Sequence, residues 1–219
     1  MANAQTHLIT LSDPRSAAAE AYRTLRTNIM FTSVDKPITT LAVTSPTAND
    51  DKKIVLANLA ITFAQAGHKT IIIDADLRRP AQHELWGVSN ERGLTTMMLE
   101  DASLSSPPLI ATDIPNLSVL PSGILPPIPA DILSSPRMND VIGVLKARAH
   151  YLLFDSSPVL VATDAALLGA KLDGVILVVR AGHTRRDHTA QARQTLERVN
   201  ARVLGAVMTN APRENMASY

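Results

Sequence analysis

The chain has 219 residues, 46% of them hydrophobic and 19% charged, with a net charge of +1. That length and balance predict a folded chain with its own core and exclude a disordered polyelectrolyte. They also argue against a broadly basic surface, so no nucleic-acid partner is expected. Absence of cysteine excludes disulfides, cysteine-ligated zinc and thiol catalysis, and fits a reducing compartment.

Met1 to Asp13 lacks a basic start followed by an apolar run, which predicts no secretory signal. No apolar stretch reaches the roughly 18–20 residues that span a bilayer. A cytoplasmic location is expected, with any link to a membrane supplied by a partner.

Ser16 to Thr32 has a helical pattern, with Ala17, Ala21, Leu25 and Ile29 at steps of four and Glu20, Arg23 and Arg26 at steps of three on a neighbouring face. Pro37 closes it. Ile38 to Thr44 reads as a buried strand, Ser45 to Asp51 as a turn, and Lys52 to Ala66 as a helix stopped at Gly67. Thr70 to Ile73 is a second apolar strand ending at Asp74, which completes a βαβ unit. Prolines punctuate the middle, around a strand at Leu117 to Leu120. A helix from near Ala130 to Arg148 is expected to break at Pro136. Strands at Tyr151 to Phe154, Val175 to Val179 and Val203 to Met208, with a helix at Asp187 to Val199, complete the rhythm. Parallel strands need helical crossovers. The expected fold class is therefore α/β: a doubly wound, mostly parallel sheet flanked by helices. Its ligands would bind beyond the carboxyl ends of the strands.

The Ser45 to Lys53 loop, Asp74, Asp76 and Asp155 should share that edge. A phosphate loop needs small residues after a strand so that backbone N–H groups can approach the anion. It also needs a lysine for phosphate charge and a hydroxyl for Mg²⁺. Lys52 stands where that lysine belongs, but Asn49 and Asp51 replace glycines and Lys53 replaces the hydroxyl residue. Asp50 and Asp51 would repel a triphosphate by roughly 1 kcal/mol per charge pair in water and about 4 at intermediate dielectric. Alternatively they cap the helix and pair with Lys52 or Lys53, filling the anion nest with the protein's own carboxylates. Asp74 and Asp76 alternate in an extended segment, so they either face one site for metal binding or proton abstraction, or cap the strand end with salt bridges to Arg78 or Arg79. Asp155 closes its strand where a carboxylate can hold Mg²⁺. His7, His68, His83, His150, His183 and His188 show no metal-ligand spacing and are read as non-catalytic.

The ordered set resembles the cytoplasmic kinase domain of bacterial tyrosine kinases (BY-kinases), over nearly the whole chain. Glu20-Ala-Tyr-Arg23-Thr-Leu-Arg26 is similar to the family's subunit-contact helix. Ile71 to Pro80 is similar to the Walker A′ motif, and Phe154-Asp155-Ser-Ser-Pro158 to Walker B. Leu120 to Ser135, Val178 to Thr184 and Gly205 to Asn210 resemble later family segments. The resemblance implies a P-loop NTPase-like fold related to MinD and ParA. It implies one domain, with residues 1–36 as an oligomerisation region and 37–219 as the α/β core. It implies ATP or ADP with Mg²⁺ as cofactors, Lys52 on phosphate, Asp74 and Asp155 on metal, Asp74, Asp76 and Asp155 in catalysis, and Asn210 near adenine. Glu20, Arg23 and Arg26 would mediate homo-oligomers or contacts with an active relative. The family regulates capsule and exopolysaccharide synthesis and export, which implies a membrane-embedded co-polymerase or activator as partner and a position peripheral to the inner membrane.

The family usually ends in a tyrosine cluster phosphorylated in trans, whereas the three tyrosines here are Tyr22, Tyr151 and Tyr219. With the altered loop, this favours a pseudokinase. An active kinase with an atypical loop and a MinD- or ParA-type partition ATPase are the alternatives. The extra loop lysine that marks the latter group is missing between Thr44 and Asp51.

Overall fold

A computed structural model describes residues 8–32, 36–48 and 50–211. Tyr219, His7 and Asn49 lie outside the described residues. The chain begins with a one-turn helix α1 (Ile9–Ser12) and the long α2 (Ala17–Phe31), then β1 (Thr40–Thr44), α3 (Lys52–Gln65) and β2 (Thr70–Asp74). Three short helices follow, α4 (Gln82–Trp86), α5 (Leu94–Leu99) and α6 (Ala102–Ser105), before β3 (Ile110–Ala111) and β4 (Leu117–Leu120). The remainder is α7 (Pro129–Ser134), α8 (Arg137–Lys146), β5 (Tyr151–Asp155), α9 (Asp164–Gly169), β6 (Gly174–Arg180), α10 (Arg186–Glu197) and β7 (Val203–Thr209).

The strands form one sheet in the order β3-β4-β2-β5-β1-β6-β7. All neighbours are parallel except β3 and β4. The pleat sorts the side chains: Ile71, Ile73, Leu152 and Phe154 enter one core layer, and Ile72 and Leu153 the other. The first layer is roofed by α5, α7, α8, α9 and α10, the second by α1, α2, α3 and α4. Helices therefore cover both faces, as the doubly wound reading requires. From Val55 to Ala64 every residue of α3 is buried, because α1 and α2 close over the side that the sheet leaves open. Among the described residues, no helix is long and apolar enough to cross a membrane.

Two details differ from the sequence pattern. On α2 the buried residues are Ala19 and Ile29, with Tyr22 and Leu25 partly buried, whereas Ala17 and Ala21 are exposed. Steps of four drift by about 40° each on a helix of 3.6 residues per turn, so a row of such steps leaves the contact face. The helix expected near Ala130 to Arg148 is two helices: Ser135, before Pro136, is extended at φ −60° and ψ 153°, where the proline ring disfavours helical backbone. Helices α1, α4, α5, α6 and α9 and the antiparallel β3 have no counterpart in the sequence reading.

Candidate phosphate-loop site

Because β2, β5 and β1 are neighbours, their carboxyl ends bring Asp74, Asp155 and the loop after Thr44 to one edge, with Asp74 and Asp155 in register. Lys52 opens α3 there. Its Nζ lies 2.6 Å from Asp155 Oδ1 and 2.9 Å from Asp76 Oδ2. Burial opposes the ammonium charge, but the two carboxylates more than offset it, and the Lys52 pKa is raised above the ordinary value. Asp155 Oδ2 accepts from Gln82 Nε2 at 2.8 Å. Asp76 Oδ1 accepts from Ser157 Oγ at 2.7 Å and from the Arg79 N–H at 3.2 Å. Burial pushes the Asp76 pKa up, and Lys52 and Ser157 bring it below the ordinary value.

Asp74 is different. Its Oδ2 accepts the N–H groups of Ala81 and Gln82, both at 2.9 Å, at the start of α4, while its buried Oδ1 has no hydrogen-bond partner among the described residues. Burial, reinforced by the charge on Asp155, raises its pKa to about 7. The backbone-capping half of the strand-end expectation for Asp74 and Asp76 therefore holds, but the salt bridges to Arg78 or Arg79 do not. Arg78 instead forks onto the fully buried Asp164, through Nε at 2.8 Å and Nη2 at 3.1 Å.

The loop itself is knitted into the protein. The Ser45 and Pro46 carbonyls accept from Val159 and Leu160 at 2.9 and 3.1 Å. Asp50 is buried: its Oδ2 accepts from the Thr47 N–H at 3.3 Å and the Thr47 hydroxyl at 3.1 Å. Its Oδ1 accepts from the Thr184 hydroxyl and faces His183 Nδ1 at 3.3 Å. Asp51 adopts the left-handed backbone at φ 60°, a region that favours glycine and tolerates aspartate better than most residues. The loop thus keeps a left-handed kink immediately before Lys52 without a glycine. The Asp51 carboxylate approaches Arg180 Nε at 3.7 Å and Thr209 Oγ1 at 3.4 Å, and makes no capping bond to α3. This corrects the pairing expected from sequence: Asp50 and Asp51 turn toward the ends of β6 and β7, not to Lys52 or Lys53. Lys53 is exposed.

A nucleotide phosphate with Mg²⁺ needs free N–H donors, a lysine and a hydroxyl at the helix start. Here the Thr47 N–H and the Lys52 ammonium already hold protein carboxylates, and Lys53 has no hydroxyl. These three groups do not fit that ligand as they stand among the described residues, although Asp74 Oδ1 beside Asp155 retains the character of a cation ligand.

No family model matches the chain. The tyrosine-protein kinase YwqD of Bacillus subtilis is 37% identical over 215 residues, covering 98% of this chain and 90% of that protein. The putative tyrosine-protein kinase CapB of Staphylococcus aureus is 32% identical, covering 94% and 90%. The chain belongs to the bacterial tyrosine-kinase family. The crystal structure of the chimerical protein CapA2B2 superposes on this BY-kinase chain with a TM-score of 0.90 at 32% identity, covering 95% and 91% of the two chains. The kinase domain of the Escherichia coli tyrosine kinase ETK gives 0.87 at 28%, covering 97% and 83%. The cell division ATPase MinD of Pyrococcus furiosus, at 0.67 and 22%, shares the fold.

Of the residues that the BY-kinase resemblance singled out, Lys52, Asp74, Asp76 and Asp155 converge. Asn210 follows β7 and is exposed, its Nδ2 3.5 Å from the Ala181 carbonyl. Glu20, Arg23 and Arg26 bond to other partners: Arg23 pairs with Glu20 at 2.7 Å, and Arg26 donates to the Thr62 carbonyl of α3 at 2.8 Å. Sequence reasoning missed Gln82, Ser157, Asp164, His183 and Thr184. Ser157 was within reach, two residues after Asp155. The others carry no periodic or spacing signal, because only the folded loops bring them in.

Proposed function

We propose that this chain is a pseudokinase of the BY-kinase type. In this reading it serves bacterial capsule or exopolysaccharide biosynthesis and export, in the cytoplasm, through a membrane-embedded co-polymerase or activator. One observation carries the reading: Asp50 and Lys52, at the heart of the phosphate loop, are both satisfied by partners within the chain. Opening that arrangement for a triphosphate would break a buried charge network, at a cost of several kcal/mol before any ligand contact forms. Around the loop, Asp74, Asp76 and Asp155 keep the family framework without the phosphate chemistry it would serve. The α2 helix, with Glu20 exposed, is the surface for self-association or for contact with an active relative.

Calorimetry with Mg·ATP, paired with radiolabel transfer from ATP, tests this. No binding heat and no label on the chain or its partner are expected; micromolar binding with turnover would defeat it.

An active kinase with an atypical loop is the second reading, favoured by the left-handed kink retained at Asp51 directly before Lys52. It requires label transfer that Lys52→Ala and Asp155→Ala each abolish.

A further inference from the structure

Asp50 is hydrogen-bonded at both ends, and to two different loops. One oxygen turns back to Thr47, in its own loop; the other reaches His183 and Thr184, 133 and 134 residues further along the chain. Those two residues sit in the connection between β6 and α10. A buried carboxylate is costly unless its oxygens are bonded, and this one gathers donors from separate segments as a bound oxyanion would.

The Thr184 hydroxyl is committed in both directions. Its oxygen accepts the Arg180 N–H at 2.7 Å, and its hydrogen goes to Asp50. The turn is closed by the Thr184 N–H on the Arg180 carbonyl at 2.9 Å, and joined to β7 by the Ala181 N–H on the Thr209 carbonyl at 2.9 Å. Asp51 adds a second tie to the same strand ends through Arg180 and Thr209. Three consecutive residues thus fasten the start of α3 to four strand ends: Asp50 and Asp51 to β6 and β7, Lys52 to the acids at the ends of β2 and β5.

We propose that Asp50 is an internal ligand that clamps the phosphate loop to the β6–α10 connection, taking the place of a bound oxyanion and holding both loops in one arrangement with nothing bound. The proposal rests on the reading that this loop takes no nucleotide phosphate. Loops that close over a phosphate order when it arrives and loosen when it leaves. A carboxylate supplied by the chain removes that dependence, so α10 starts from a fixed point whatever the nucleotide supply.

Hydrogen exchange of the Ala181, His183 and Thr184 amides, in the full chain with and without inorganic phosphate, tests the clamp. In the wild type these amides are slow, and phosphate leaves them unchanged. Asp50→Ala accelerates them at least about tenfold by local opening, and inorganic phosphate then slows them again by occupying the vacated donors. Should Asp50→Ala fold poorly, Thr184 carries the test: Thr184→Val accelerates exchange and Thr184→Ser restores it. Wild-type exchange rates in both Asp50→Ala and Thr184→Val would overturn the proposal, as would phosphate slowing the wild type as much as the Asp50 variant. Mg·ATP binding by the wild type alongside the expected exchange pattern would defeat the pseudokinase reading and leave the clamp standing.

Discussion

Lys52 is held at the start of α3 by two buried carboxylates. Its ammonium is the shared counter-ion of two carboxylates that are 5% and 1% exposed. Lys52→Ala would leave Asp76 with the Ser157 hydroxyl and the Arg79 N–H, and Asp155 with Gln82, none of which neutralises a charge. Breaking a buried pair from one side typically costs about 3–5 kcal/mol, so that variant should show a lower denaturant midpoint by an amount in this range. An unchanged midpoint would mean that the ammonium is not needed. Asp74 makes a prediction of opposite character. Its folded pKa is raised from 3.8 to about 7, so its protonated form favours the fold. That contribution is complete below about pH 4 and is lost as the pH rises through about 7, each tenfold difference in proton affinity between folded and unfolded chain being worth about 1.4 kcal/mol. Asp76, whose folded pKa is depressed, acts in reverse, its contribution fading only in acid. Asp74→Asn keeps an acceptor for Ala81 and Gln82 and removes the titration. Relative to the wild type it should gain stability between about pH 4 and pH 7 in denaturant titrations and level off above that; parallel pH profiles would contradict the assignment.

Among the elements, the β1–α3–β2 unit was legible because its signals are local: β-branched runs, a lysine at the helix start and a glycine at its end. The strand boundaries at Leu117–Leu120 and Tyr151–Asp155 follow from the same kind of signal. The carboxyl-edge grouping of Lys52, Asp74, Asp76 and Asp155 was legible too, since strand order in a doubly wound sheet constrains it. What was not legible is set by distant neighbours. The contact face of α2 depends on where α3 lies beneath it, and the partners of Asp50 come from a loop more than a hundred residues away. Helix α9 is an instance with energetic weight. It has no strong periodicity, yet it delivers the fully buried Asp164 to the Arg78 fork and the Ser157 hydroxyl. Arg78→Ala would leave that carboxylate with Ser157 alone and should cost about 2 kcal/mol by thermal or chemical unfolding. Arg78→Lys should recover only part of the loss, because a single ammonium cannot reproduce two parallel N–H donors. Full recovery by lysine would show that charge, not the fork, holds α9.

At the scale of the whole molecule, a fold shared with tyrosine-kinase relatives surrounds a loop whose Asp50 and Lys52 are bonded within the chain. This separation of fold from loop has a consequence for assembly: contacts made through α2 should not require nucleotide. Light scattering of the purified chain is expected to give a multimer whose mass is the same with and without Mg·ATP. A strict monomer would count against α2 as an association surface, and a nucleotide-dependent mass against the pseudokinase reading. The most direct test of the central claim is a crystal structure grown with ADP and Mg²⁺ in excess. The expected result is Asp50 still seated between Thr47 and Thr184, Lys52 still on Asp76 and Asp155, and no nucleotide density beside them. Density for ADP along the loop, with the Lys52 ammonium moved onto its β-phosphate, would contradict it.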